Sequence, residues 1–300
     1  MAEFSPMMQH YLDTKEQYKD CILFYRLGDF YEMFFDDAIT VSRELELTLT
    51  GKDCGQEERA PMCGIPYHAA NVYIAKLIEK GYKVAICEQM EDPKKAKGIV
   101  KREVIRVVTP GTVLEDNLLE EKKNNYIMSI YKEGMFFGIA VCDVTTGDFF
   151  ASEIKNTNNF AKLLDEIARY LPAEIVVNEM MYNTTEEISK IRERIECFIS
   201  NIEEEKFKFN LTDLNDRYKI TNENGDKIDL SEKHLAMAAT KGLLEYIKET
   251  QKIEMEHLNV IKVYSITKYM ALDISARRNL ELLERMRDKG KRRNSPLGIR

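Results

Sequence analysis

The chain has 300 residues, of which 44% are hydrophobic and 32% are charged, a balance typical of a folded protein with room for two domains of ordinary size. This composition excludes disordered and fibrous classes, and no stretch of the sequence approaches the ~18 uncharged apolar residues of a membrane span. The N-terminus lacks the charged-then-apolar pattern of a signal peptide, so we expect a cytoplasmic protein. The net charge of −7 argues against a protein that coats nucleic acid through overall basicity.

Residues 1–115 predict an α/β domain, because short apolar runs alternate there with helix-periodic segments. The apolar run at residues 22–25 predicts a buried strand, and the Gly28-Asp29 pair after it is a turn signal. Apolar residues at helical spacing predict one helix over residues 34–45 and another over 70–78. Two further strands are predicted at residues 84–86 and 104–108.

A domain boundary is predicted near residues 110–125, where a Thr-Pro-Gly-Thr sequence breaks the pattern and a charged run offers little to bury. A second α/β domain is predicted over residues 120–250. Its predicted elements are strands at residues 136–141, 149–151 and 175–177 and a helix over residues 160–171 that ends at Pro172.

From Ser231 onward the apolar pattern is purely helical, and residues 272–287 predict a further helix. We expect residues 251–300 to be the start of an all-helical domain. The chain is then incomplete, because so few helices have little of their own to pack against. The predicted fold class is therefore α/β, with two α/β domains followed by the first helices of an all-α domain.

Cysteines and basic residues give weaker indications. The cysteines lie far apart without a C-x-x-C pair, which indicates neither a disulfide framework nor a zinc site, so we interpret them as reduced and mostly in the core. They are Cys21, Cys54, Cys63, Cys87, Cys142 and Cys197. Residues 94–106 and 285–300 carry six and seven basic side chains, each against one carboxylate. Either cluster could lie near phosphate, but a solvated charged face is the commoner explanation.

The segment that follows the first predicted strand carries an aromatic and a carboxylate two residues apart. If it is extended, Phe30 and Glu32 point to the same side. An apolar wedge can unstack a base step, and a neighbouring carboxylate can accept a hydrogen bond from an exposed base edge. Unstacking costs least where pairing is defective, so such a pair could distinguish mismatched DNA. The competing interpretation is that Phe30 packs in the core and Glu32 is merely solvated, and the acidity of this segment would repel phosphate.

Five blocks of the sequence, in order, resemble the MutS family of bacterial mismatch-recognition ATPases, over a span from about residue 5 to residue 288. The blocks are FYRLGDFYEMFFDDA (24–38), APMCGIPYHA (60–69), VAICEQM (84–90), VVTPGT (107–112) and ALDISARRNLEL (271–282). In this family the aromatic of an F-x-E motif stacks on the mismatched base and the glutamate bonds that base. The resemblance places these roles on Phe30 and Glu32.

The resemblance implies a mixed-sheet mismatch-binding domain over residues 1–115, an RNase H-like connector over 120–250 and the start of a helical core and lever domain over 251–300. It also implies a dimer in which one subunit reads the mismatch from the minor groove of kinked DNA, with MutL as a partner. Full-length members bind ATP and Mg²⁺ in a domain with a P-loop, whereas no G-x-x-x-x-G-K-[ST] occurs in this sequence. We therefore expect these residues to bind DNA weakly, with no enzyme activity and no cofactor.

Two alternatives remain open: a metal-dependent nuclease and a pure protein-interaction module of the repair machinery. Asp143, at the end of a predicted strand, resembles a metal-binding carboxylate of active RNase H-like nucleases. No spacing shows that Glu174 or Glu179 converges on it, so we interpret Asp143 as a turn or cap residue. His68 has no cysteine or carboxylate at ligand spacing and is interpreted as a capping or packing residue.

Overall fold

The computed structural model of the chain describes residues 4–91, 98, 100–113, 124–155, 158–253 and 255–266. Contacts between Cα atoms divide the chain into two compact units. One unit contains the residues up to 123 together with 246–255, and the other contains residues 124–245 and those from 256 on. Each unit contains one mixed β-sheet, so the α/β fold class is confirmed. Among the described residues, no helix is both long and apolar enough to cross a bilayer.

The first unit is a six-stranded mixed sheet with helices on both faces. Its elements in chain order are α1 (Pro6–Gln17), β1 (Cys21–Leu27), β2 (Phe30–Phe34), α2 (Phe35–Leu45), β3 (Thr50–Lys52), β4 (Ala60–Pro66), α3 (Ala70–Glu79), β5 (Lys83–Gln89) and β6 (Arg102–Val108). The strand order is β3-β4-β2-β1-β5-β6. Only β1 and β5 are parallel neighbours, and the other adjacent pairs are antiparallel.

Successive side chains along β1 and β2 point to opposite faces of the sheet, so this unit has a hydrophobic core on each face. One face packs Phe24, Tyr31 and Met33 against the apolar stripes of α2 and α3, so both predicted helices are confirmed. The opposite face packs Tyr25 and Phe34 with residues of α1. The sequence analysis did not assign α1, although Ser5 and Pro6 before it are ordinary helix-start signals.

The second unit is a seven-stranded mixed sheet. Its elements are β7 (Tyr126–Glu133), β8 (Phe136–Asp143), β9 (Phe149–Ile154), α4 (Asn159–Tyr170), β10 (Glu174–Val177), α5 (Glu179–Tyr182), α6 (Thr185–Arg194), β11 (Phe198–Asn201), α7 (Leu211–Arg217), β12 (Lys219–Asn222), α8 (His234–Gln251) and β13 (Val260–Val263). The end of α8, from Tyr246 on, is grouped with the first unit. The strand order is β11-β10-β7-β8-β9-β13-β12. If the first five strands of this unit, β7 to β11, are numbered 1 to 5 in chain order, they lie in the order 3-2-1-4-5 across the sheet. The second of them, β8, is antiparallel to both of its neighbours, as in RNase H-like folds.

Within the described residues, the segment predicted to begin an all-helical domain contributes one strand, β13, to this sheet. Residues 231–250 do contain a helix, but α8 packs its start on β8, so closely that a Cβ added at Gly138 would lie 1.9 Å from the carbonyl oxygen of Leu235. After α8, β13 pairs in parallel with β9 and with β12. The sheet therefore continues past residue 250, the predicted end of the domain, and Ile261 and Val263 of β13 are buried. The helix predicted over 272–287 lies outside the described residues.

Candidate nucleic-acid interface

Phe30 lies at the tip of a β-hairpin. Strands β1 and β2 pair antiparallel, with Leu27 opposite Phe30, and Gly28 and Asp29 form the two-residue turn between them. Gly28 has φ +60, a conformation that a residue with a Cβ adopts only with strain, so the glycine makes this tight turn possible. The predicted turn at Gly28-Asp29 is thus confirmed, and it places Phe30 at the first position of β2.

The ring of Phe30 lies on the surface, with 47% of the residue exposed to solvent. Phe34 is on the same strand and the same face, but it is only 1% exposed because Tyr11 of α1 packs edge-on against it with ring centroids 4.9 Å apart. Tyr31 and Met33 alternate with these residues, point to the opposite face of the sheet and are buried under α2 and α3. This face of β2 is therefore covered at one end and open at the end that carries Phe30.

Glu32 lies between these two phenylalanines and is mostly buried. Its side chain is 16% exposed, and its Oε2 accepts a hydrogen bond of 2.6 Å from Lys52 Nζ. The residue opposite Glu32 on β4 is Gly64. A Cβ added at Gly64 would lie 3.5 Å from Glu32 Cγ and 3.9 Å from Phe30 Cδ1, so the absence of a side chain leaves a notch beside both residues.

Internal contacts pair half of the carboxylates of this segment. Asp37 is buried, pairs with Lys15 Nζ at 2.8 Å and accepts a hydrogen bond from the backbone N–H of Leu23. Its carboxylate is a structural group of the core. With Glu32 also paired, Asp29 and Asp36 are the exposed carboxylates of the segment. The electrostatic argument against a DNA-binding role is correspondingly weaker than the sequence indicates.

A network around Arg26 braces the hairpin tip. The Arg26 guanidinium lies 3.7 Å from the ring centroid of Tyr67, donates to the carbonyl of Gly28 at 2.5 Å and pairs with Glu88 at 3.3 Å. Tyr31 donates its hydroxyl to Glu88, and burial together with this hydrogen bond raises the pKa of Tyr31 well above its ordinary value. The tip is therefore held from three strands, because Glu88 belongs to β5.

The sequence predicted Phe30 and Glu32 as site residues but gave no indication of the groups around them. Arg26 and Tyr67 both lie within blocks that resemble the MutS family, yet nothing in their spacing predicts that they stack. Lys52 lies outside every one of those blocks. The position of Lys52 in a short polar segment does not predict its ion pair with Glu32. His68 lies in the short 3-10 turn before α3, where its ring is exposed and meets the neighbouring Tyr67 ring at 84°.

The basic cluster at residues 94–106 is only partly described. Arg102 is buried, and it donates to the carbonyl oxygens of Arg26 and Val100. Lys101 pairs with Glu103 on the surface. The described members of the cluster thus include one structural arginine, whereas residues 92–97 and the second cluster at 285–300 lie outside the described residues.

Asp143 is fully buried and acts as a turn cap. Its Oδ1 accepts hydrogen bonds from the backbone N–H and the hydroxyl of Thr145, at 2.9 and 2.6 Å, and from the N–H of Thr146 at 3.3 Å. Its Oδ2 accepts from the N–H of Asn125 at 3.1 Å. Both oxygens are therefore engaged by the turn, as the cap interpretation predicts. Among the described residues, no group of three or more His, Cys, Asp or Glu side chains could hold a metal ion.

All six cysteines are free, five of them buried and Cys197 partly buried, which confirms the interpretation as reduced and mostly core residues. Burial raises the pKa of Cys87, beside the braced tip, to about 12. A thiol with so high a pKa carries almost no thiolate at neutral pH and is a poor nucleophile.

Comparison with known proteins assigns both units. The family model of MutS domain I matches residues 5–117, and that of MutS domain II matches residues 125–259. The chain is 55% identical over 295 residues to the DNA mismatch repair protein MutS of Ruminiclostridium cellulolyticum, covering 97% of this chain and 33% of that relative. It is 53% identical over 296 residues to the protein of the same name from Acetivibrio thermocellus, with the same coverage. The chain spans about a third of the length of these relatives. It belongs to the MutS family, with the family's domain I followed by its domain II.

Proposed function

We propose that the first domain recognises mismatched or unpaired bases in duplex DNA. Phe30 is the wedge that enters the base stack from the minor groove, and Glu32 accepts a hydrogen bond from the base that yields. The observation that carries this proposal is the half-exposed phenyl ring at the open end of β2, on a strand whose other phenylalanine is sealed in the core.

The energetics of the exposed ring support a binding role. Burying a whole Phe side chain stabilises a fold by about 1.5–3 kcal/mol, so leaving half of Phe30 in water forgoes roughly 1 kcal/mol. A base stacked on an aromatic ring contributes about 1–3 kcal/mol, which equals or exceeds this loss. At a paired step most of that gain is consumed by unstacking, whereas a defective step opens at lower cost. The ring therefore favours mismatched duplex.

The rigidity of the tip supports the same role. A wedge works only if the ring cannot fold back when it meets the base stack, and here Arg26 ties the turn at Gly28 to Glu88 of a neighbouring strand. The missing side chain of Gly64 leaves room of about one methyl group beside Phe30 and Glu32. A side chain at that position would reduce this room.

The relatives are named DNA mismatch repair proteins, and we extend that role to this chain. We further propose the partners that the sequence resemblance implies, namely a second copy of the protein and MutL. The sequence contains no P-loop, so no ATP or Mg²⁺ site is assigned to these residues.

Binding to matched and G·T-mismatched oligonucleotides over a range of salt concentrations tests the proposal. Phosphate contacts contribute equally to both duplexes and weaken linearly with the logarithm of salt, so preference for the mismatch must persist as the affinity for both falls. Equal affinity for the two duplexes at every salt concentration would contradict the proposal. Mg²⁺-dependent cutting would favour the nuclease alternative, and absence of DNA binding at low salt would favour the protein-interaction module.

A further inference from the structure

Lys52 forms an ion pair with Glu32 at the proposed site, and the proposed function gives Lys52 no role. Lys52 is the last residue of β3, the edge strand, and β4 lies between it and the strand that carries Glu32. Its side chain therefore crosses β4 to place Nζ 2.6 Å from Glu32 Oε2. Lys52 is in register with Ala60 of β4, and its Nζ lies 5.9 Å from the centroid of the Phe34 ring on the same face of the sheet.

We propose that Lys52 is a positioning residue for mismatch recognition, which holds Glu32 in the orientation that meets the base. This inference rests on the proposed function of Glu32. The ammonium engages only Oε2, and within the described part of the chain Oε1 makes no hydrogen bond. One oxygen of the carboxylate is thus fixed by the protein, while the other keeps its lone pairs for a base donor.

The pairing also lowers the electrostatic cost of bringing a carboxylate close to DNA. An unpaired Glu32 would meet the phosphates of the duplex as a bare negative charge. Paired with Lys52, it presents a group of zero net charge that can still accept a hydrogen bond. Both side chains are shielded from bulk water, with exposed fractions of 33% for Lys52 and 16% for Glu32, so the pair is screened less by salt than a surface pair.

Fixing the side chain in advance has a further effect on affinity. A free glutamate side chain loses rotamer freedom when it is ordered on binding, and a pre-oriented one does not. Without Lys52, Glu32 would turn to solvent in the unbound protein and would have to be ordered by the DNA. The loss should appear only where Glu32 makes its bond, at the mismatch, and should be absent on paired duplex.

The test compares Lys52→Met, Lys52→Arg and Glu32→Gln with the wild-type protein, by titrating matched and G·T-mismatched duplexes. We expect Lys52→Met to lower the mismatch-to-match affinity ratio by about three- to tenfold, the range of a charge-assisted hydrogen bond partly lost. Lys52→Arg should retain most of the ratio, because the guanidinium can still donate to Oε2. Adding Lys52→Met to Glu32→Gln should change the ratio no further, since both act through one bond.

Lys80→Met is the matched control, because Lys80 also pairs with a glutamate of the first domain, Glu44 at 2.9 Å, far along the chain from the hairpin. It should leave the ratio at the wild-type value. The salt dependence of binding to paired duplex should be the same in Lys52→Met and wild type. A slope smaller by about one would show that Lys52 contacts a phosphate instead, and would overturn the inference.

The inference and the proposed function fail in different ways. If Glu32→Gln lowers the ratio while Lys52→Met leaves it unchanged, Glu32 acts without Lys52 and only the inference is overturned. If Phe30→Ala and Glu32→Gln both leave the ratio unchanged, the site does not read mismatches and both are overturned. A melting temperature measured for each variant separates these outcomes from unfolding, and the Lys52→Arg variant, which retains the charge, supplies a folded comparison.

Discussion

Replacement of Phe30 by alanine separates the proposed recognition role from a packing role. Because 47% of Phe30 is already exposed, we expect its removal to lower the free energy of unfolding by only about 1 kcal/mol. Phe34→Ala is the matched control, since it removes the same side chain from the same strand and face but at a position that is 1% exposed. Removing a buried phenylalanine costs about 3–5 kcal/mol.

The expected effect on recognition is much larger. A lost base–aromatic stack of about 1–3 kcal/mol corresponds to a fall of about five- to 150-fold in affinity for the mismatched duplex. Affinity for the paired duplex should change little, because phosphate contacts dominate there. Fluorescence anisotropy with labelled matched and mismatched oligonucleotides measures both affinities, and thermal unfolding of each variant measures stability.

The reasoning would be refuted by a large fall in the melting temperature of Phe30→Ala together with unchanged discrimination. That result would place the ring in the core of the protein in solution. Loss of stability in Phe34→Ala alone, with loss of discrimination in Phe30→Ala alone, is the outcome that the structure predicts.

Further predictions concern the scaffold. Gly138→Ala should lower the free energy of unfolding by about 3 kcal/mol or more, because its Cβ would lie 1.9 Å from a backbone oxygen. In Gly64→Ala the nearest contact is at 3.4 Å, so its free energy of unfolding should stay within about 1 kcal/mol of the wild-type value. Chemical denaturation of both variants measures these differences. Asp143→Asn should lower the melting temperature, because the Asp143 carboxylate accepts hydrogen bonds from the turn with both oxygens. Any Mg²⁺-dependent DNA cutting should be the same in this variant and in the wild type, and cutting that disappears in the variant would refute the cap role. In native protein at pH 8 a disulfide reagent should modify Cys197 slowly and the buried thiols more slowly still, and rapid labelling of all six would show that the cores open easily.

Local patterns in the sequence predicted the elements that bury a periodic apolar face. The stripes of α2, α3 and α4 and the apolar runs of β1 and β5 all formed where expected. Strand β4 was not predicted, because two prolines and a glycine in a seven-residue segment disfavour a strand on local grounds. It forms because β2 and β3 pair with it on either side.

The continuation of the second sheet was missed for a similar reason. Strand β13 has only four residues, too few for a periodic pattern, and it follows a long helix that suggests more helices. Its place between β9 and β12 depends on pairing with a strand more than 100 residues earlier in the chain. No local signal carries that information.

The sequence by itself determined that Phe30 and Glu32 lie two residues apart after a tight turn, and in an extended strand this alone puts both side chains on one face. Only the tertiary structure decided which end of that face is covered: α1 packs over Phe34 and stops short of Phe30. It also decided that Lys52 reaches Glu32 and that Arg26 stacks on Tyr67. Alternation is a property of neighbouring residues, whereas exposure and ion pairing depend on the sheet order and register that bring distant segments together.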